Sequence, residues 1–179
     1  MPARHLATIF AAAMLLAVTL SPARAQTADH PIVGTWHLNL DRSSLQPGPG
    51  PQAVTRRFGV DDEGYLVSGR VTVSNAGNPS FAMARAKFDG GDYEVWTDGS
   101  VYAQLSQGGA PHATAAFRVV DDHTLELTQK NPDGEVAALS PSTWQVSPDG
   151  STLTVTTVGT TADGVEVHNV EVYDRVDSN

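Results

Sequence analysis

The chain has 179 residues, a formal net charge of −9 and no cysteine. Its acid excess repels phosphate backbones and anionic headgroups, which speaks against nucleic acid or a membrane surface as partner. The missing thiols exclude a disulfide framework, a thiolate metal site and a cysteine nucleophile.

Residues 1–25 read as a signal peptide. Arg4 supplies the positive start, Leu6 to Leu20 form an uncharged apolar run, and Ala23-Arg24-Ala25 gives the small-x-small cleavage pattern. The run is shorter than the roughly 20 apolar residues that span a bilayer, and no later run is long enough to cross as a helix. No cysteine follows the cleavage site to carry a lipid anchor. Cleavage after Ala25 removes Arg4 and Arg24, carries the net charge to −11, and leaves residues 26–179 as one domain in the periplasm or the medium.

From residue 32 onward the side chains alternate with the two-residue period of half-buried strands. Ile32, Gly34, Trp36, Leu38 and Leu40 share one face, against Val33, Thr35, His37, Asn39 and Asp41. The stretch from Asp41 to Pro51, with its alternating prolines and glycines, reads as a long loop or lid that cannot enter a sheet interior. Val54, Arg56, Phe58 and Val60 share a phase, and Arg57 falls with Ala53, Thr55 and Gly59. Next, Tyr65, Val67, Val71 and Val73 form an apolar set against Ser68, Arg70, Thr72 and Ser74, which predicts the valines inside. Ala84 and Ala86 are in phase with Phe88, and Leu125 and Leu127 alternate with Thr124, Glu126 and Thr128. In the last segment the apolar set changes phase between Val165, Val167 and Val170, Val172, which predicts a β-bulge at His168-Asn169.

Turn chemistry punctuates these segments: Asp61 to Gly64, Asn75 to Pro79, Asp89-Gly90-Gly91, Asp98-Gly99, Gly108 to Pro111, Asp121-Asp122, Asp133-Gly134, Asp149-Gly150 and Asp163-Gly164. Asp-Gly suits the positive φ of tight hairpins. The breaks leave about eleven short candidate strands and no helical pattern of useful length. Short links between successive strands favour a meander over a Greek-key sandwich, and closure hides the edges of strands rich in Val and Thr. The fold class expected is therefore all-β: an antiparallel up-and-down β-barrel of about 8 to 10 strands.

Gly34-Thr35-Trp36 resembles the opening Gly-x-Trp signature of lipocalins and their calycin relatives. The surrounding text resembles exported bacterial lipocalin-like domain proteins across nearly the whole mature chain. It includes Gly34 to Asn39 with the Pro47 to Pro51 loop, Lys87-Phe88-Asp89-Gly90, Ser147 to Thr156, and Val170 to Arg175. The resemblance implies a small barrel open at one end, with a ligand inside. It also implies that a basic residue near the end of the last strand crosses the signature Trp, for which Arg175 is the matching position.

Catalytic motifs are missing from the sequence: it has no nucleophile elbow, zinc-helix motif, phosphate loop or dinucleotide fingerprint, and no cofactor is expected. The histidines of the mature region, at 30, 37, 112, 123 and 168, are scattered without metal-ligand spacing. Asp61-Asp62-Glu63 and Asp121-Asp122 lack the spacing of a calcium loop.

Arg56 stands out because it shares its strand phase with apolar residues. A guanidinium on an inner face needs a partner, either an internal carboxylate or the charged end of a ligand. The leading expectation is an exported binding protein for a small apolar or amphipathic molecule, an anion whose charged end meets Arg56, with Phe58, Val67, Phe88, Tyr93, Phe117 and Leu127 lining the cavity beside it. Two other readings stay open: a calycin-like isomerase or hydrolase built on Arg56, Gln129 and His168, and a filled barrel that acts through its surface in the cell envelope.

Overall fold

The computed structural model describes residues 30–46, 50–97, 113–160 and 164–176. The expected signal peptide, the turns at Asp98-Gly99 and Gly108 to Pro111, Asp163 and His112 lie outside them. Ten strands follow in chain order: β1 Gly34–Leu38, β2 Ala53–Val60, β3 Leu66–Val73, β4 Pro79–Ala86, β5 Tyr93–Thr97, β6 Ala113–Val119, β7 Thr124–Lys130, β8 Ser142–Val146, β9 Thr152–Thr160 and β10 Glu166–Val176. Each pairs antiparallel with its neighbours in sequence, and β1 pairs with β10 to close the barrel. The architecture is thus the expected up-and-down barrel. Among the described residues the only helical element is a single 3-10 turn at Leu40–Arg42, and no helix is long and apolar enough to cross a membrane.

Local chemistry sets the hairpins. Gly64, Gly77, Gly90, Gly134, Gly150 and Gly164 all take positive φ between 72° and 86°, where a Cβ would be strained. Beside four of these links an aspartate carboxylate accepts turn N–H groups, as Asp61 does from Glu63 and Tyr65.

One end of the barrel is packed solid. Ile32, Trp36, Leu66, Leu125, Val146, Leu153 and Tyr173 are the largest side chains there, each less than 2% exposed. Trp36 donates its indole N–H to Ile32 O at 2.9 Å, and the Arg175 guanidinium lies over its ring, 4.1 Å from the centroid. The same guanidinium donates to the carbonyls of Pro31, Val33 and Gly150. Gly34, with φ 144°, is required here because a Cβ would come within 2.5 Å of Arg175 Nη1.

Two phase expectations are overturned. On β3 the valines face outward: Leu66 is 1% exposed, whereas Val71 is 44% exposed. The hairpin at Asp61 to Tyr65 pairs Val60 with Leu66, and the register then sets Phe58 opposite Ser68, Arg56 opposite Arg70 and Val54 opposite Thr72. Directly opposed residues share a face, so Ser68, Arg70 and Thr72 turn inward with the β2 residues and Val67 turns out.

On β10 there is no bulge, since the pairing with β9 runs one for one from Glu166↔Thr160 to Asp174↔Thr152. Val167, Asn169, Glu171, Tyr173 and Arg175 therefore share the inner phase, and His168 is exposed. Val170 and Val172 need no bulge because residues 39–46 run along β10. The N–H groups of Asn39 and Ser44 donate to Val172 O and Val170 O, each at 2.8 Å, and Val172 N–H donates to Ser43 Oγ at 2.9 Å. The first half of the expected lid is thus a strap along the last strand.

Candidate functional site

The other half of the barrel is hollow. A cavity of about 340 Å³ opens where β3, β7, β9 and β10 carry Arg70, Gln129, Thr157 and Asn169 on their inner faces. Aromatic rings make its floor. Phe58 and Phe117 each meet Trp144 edge to face, with centroids 5.6 and 5.9 Å apart, and the Trp144 indole N–H donates to Ser142 Oγ at 2.8 Å. Edge-to-face pairs of this kind hold rings more firmly than area burial alone. The small side chains Ala82, Ala84 and Ala115 form one wall, and this shortage of volume is what leaves the space open.

The opposite wall carries charge. Arg56 is 8% exposed, and its neighbours on β10 meet it: Nε donates to Tyr173 Oη at 2.7 Å and Nη2 donates to Glu171 Oε2 at 3.0 Å. The Tyr173 hydroxyl in turn donates to Glu171 Oε2 at 2.5 Å. The guanidinium also lies 4.7 Å from the Trp144 ring centroid and 5.2 Å from that of Tyr173, close enough for cation–π attraction.

This network fixes protonation. Burial works against the Arg56 cation, but Tyr173 and Glu171 outweigh it and hold its pKa above the usual guanidinium value. Burial likewise pushes the Glu171 carboxyl up, yet Arg56, the Tyr173 hydroxyl and the charge of Arg70 together keep it below the usual carboxylate range. For Tyr173, burial, opposed by Arg56 and reinforced by Glu171, drives the hydroxyl well above the usual phenol range. At ordinary pH the trio is cation, anion and neutral phenol.

Among the described residues the buried polar side-chain atoms without a hydrogen bond are His30 Nε2, Thr72 Oγ1 and His123 Nδ1. The Arg56 and Glu171 side chains keep 10% and 25% of their surface exposed. Of the two partners expected for Arg56, an internal carboxylate or the charged end of a ligand, the structure supplies the internal one, Glu171.

Four of the expected lining residues, Arg56, Phe58, Phe117 and Leu127, meet in this cavity. Three do not line it. Val67 lies on the outward phase of β3, across from Arg85. Phe88 packs between His30 and Phe117 at the closed end, and Tyr93 turns its hydroxyl to Asp89 at 2.9 Å. Of the residues proposed for an enzyme, Gln129 lines the cavity with Arg56, but His168 is on the outer surface. The described residues contain no group of three or more His, Cys, Asp or Glu that could hold a metal ion.

Glu171, Asn169 and Arg70 were not anticipated in the cavity. For Glu171 the sequence does hold a signal: it shares the two-residue phase of Tyr173 and Arg175, and the assumed bulge concealed it.

No family model matches the sequence, and the search of curated proteins found no match either. Among solved structures the chain is similar to the crystal structure of Rv2717c from M. tuberculosis. The identity is 14%, the match covers 87% of this chain and 99% of that one, and the TM-score is 0.50. At that identity the likeness concerns the fold alone, and it agrees with the closed antiparallel β-barrel built above.

Proposed function

We propose that this chain is a lipocalin-like binding protein for a small amphipathic molecule, exported by a signal peptide of residues 1–25 and working in the periplasm or the medium. The observation that carries this reading is the open cavity of about 340 Å³ with an aromatic floor and a polar wall. Pockets that bury small ligands begin at about 300 Å³, and they combine mostly apolar lining with a few fixed polar groups. The apolar body of the ligand rests on Phe58, Phe117 and Trp144, and its polar end meets the wall of Arg56, Glu171, Gln129 and Asn169.

The charge states favour binding over proton-transfer chemistry. General acid–base catalysis works best with a group that titrates near the operating pH. Arg56, Glu171 and Tyr173 are all held away from it.

The test is a screen of the purified mature protein against fluorescent fatty-acid and aromatic-acid probes, with Trp144→Phe as control. The expected result is saturable binding at one site, with quenching of the tryptophan emission that the control loses. Failure of every probe to bind would overturn the reading. Export is checked on the native chain: mass spectrometry of protein from the periplasm or medium should find Gln26 as the first residue, and recovery of full-length chain from membranes would refute it.

A further inference from the structure

Of the trio in the charged wall, the carboxylate is the most accessible group. Arg56 is enclosed by Tyr173, Glu171 and the Trp144 ring, and its side chain is 10% exposed. Tyr173 is fully buried and donates its hydroxyl proton to Glu171. The Glu171 side chain is 25% exposed, and it lines the cavity from the inner phase of β10. A molecule in the cavity therefore finds more of the carboxylate to touch than of the guanidinium behind it.

What that carboxylate can take follows from its chemistry. Burial works against its charge, but Arg56, the Tyr173 hydroxyl and Arg70 outweigh it, so the group is ionised and only accepts hydrogen bonds. Arg56 and Tyr173 both donate to Oε2, and a carboxylate has about four acceptor sites, so capacity to accept remains. Its charge is already met by the ion pair with Arg56, which favours a neutral donor over a second cation. Two other acceptors of the lining are engaged within the protein. Ser142 Oγ takes the Trp144 indole N–H at 2.8 Å, and Asn169 Oδ1 takes the Gln46 N–H at 2.6 Å.

We infer that the cavity selects an amphipathic alcohol, an apolar body ending in a neutral hydroxyl, and that Glu171 is the specificity-determining residue that accepts the hydroxyl's hydrogen bond. The inference rests on the binding reading above and narrows it. Arg56 and Tyr173 hold the carboxylate in place for this bond, and hydrogen bonds to an ionised acceptor are about twice as strong as neutral ones. An ether of the same shape has no proton to donate. A carboxylate ligand sets one acceptor-only group against another, so acids enter on their apolar bodies and gain less at the wall.

Three probes of nearly one shape test it by isothermal titration calorimetry at about pH 7, where an aromatic acid is ionised. They are β-naphthylmethanol, its methyl ether and β-naphthoate. The wild-type protein should bind the alcohol about ten-fold more tightly than either of the others, as a hydrogen bond to a charged group provides. Glu171→Gln keeps the shape of the side chain and removes its charge, and it should cut the advantage over the ether to about two- or three-fold. The double variant Arg56→Met with Glu171→Leu, which strands no guanidinium, should abolish that advantage and keeps the test open if Glu171→Gln fails to fold. Equal binding of alcohol and ether by the wild type, naphthoate bound as tightly as the alcohol, or a full preference that survives in the variants overturns the donor rule and leaves the binding reading standing. If none of the three probes binds, both fall.

Discussion

At the scale of single residues, the Arg56–Glu171 pair decides how the hollow half of the barrel is held. Arg56 is enclosed by Tyr173, Glu171 and the Trp144 ring, so removing Glu171 would leave a guanidinium with a hydroxyl as its remaining hydrogen-bond partner. Breaking one side of a buried pair costs about 3 kcal/mol or more, because the surviving charge stays desolvated. Arg56→Met and Glu171→Leu are therefore each expected to lower stability by about 3 kcal/mol, and the double variant to lose less than the sum by about 2 kcal/mol. Urea unfolding of the four proteins reads that coupling, and strictly additive losses would show that the pair is held apart in solution. The neighbouring Arg57 is exposed on the opposite phase of the same strand, which is why two adjacent arginines have unlike roles.

At the scale of elements, the hairpins depend on aspartates that accept hydrogen bonds from their own turns. The carboxyls of Asp61, Asp89 and Asp121 are held below the usual range, first of all by backbone N–H donors within the turn. Asp149, between β8 and β9, is the extreme case. The Ser147 hydroxyl, the Ser151 N–H and the Ser151 hydroxyl donate to it and hold it at about 2, against an ordinary 3.8. A carboxyl with a depressed folded value adds stability above its unfolded value and loses it as pH falls through the folded one. The melting temperature of Asp149→Ala should thus lie below that of the wild type at neutral pH, and the gap should narrow as pH drops from about 4 to about 2. A gap that stays constant over this window would mean that the turn draws no stability from the charged form. At the same scale, Gly159 lets the β7–β8 connection lie on β9: a Cβ there would approach Ala138 O within 2.3 Å and displace the segment that brings Leu139 to the cavity.

For the molecule as a whole, the seam between β1 and β10 makes the barrel a closed object. The other strand pairs join neighbours in sequence, so this one contact links the two ends of the chain. Trp36 and Arg175 face each other across it in register and pack ring against guanidinium. Truncating Trp36 to alanine should cost about 3–5 kcal/mol, a large fraction of a typical domain's stability. Arg175 does more than cover the ring, because it also donates to three backbone carbonyls from the first segment and the β8–β9 turn. Lysine cannot reproduce a planar fork that reaches several acceptors, so Arg175→Lys is expected to lose about 2 kcal/mol despite its conserved charge. Thermal unfolding that leaves Arg175→Lys as stable as the wild type would refute this role for the fork.

Much of this was legible in the sequence because its cause is local. Six turn glycines in Asp-Gly, Glu-Gly and Ala-Gly contexts take the positive φ that their turns require, and together with short links they dictate a meander. The inward placement of Arg56 followed from its phase with Val54 and Phe58, and the glycine at position 34 answers to the close approach of Arg175. Tertiary structure alone decided which face of β3 is the inner one, and it removed the bulge that had hidden the inner phase of β10. Apolar periodicity assumes that the inside of a sheet is dry, and that holds at the packed end, where Leu66, Leu153 and Tyr173 obey it. Around a cavity the inner face meets water or a guest, so Arg70, Asn169 and Glu171 sit there while Val71 is exposed. Pattern could not separate these cases, because hairpin register, fixed by one turn and carried around a closed barrel, outranks the hydrophobicity of any single strand.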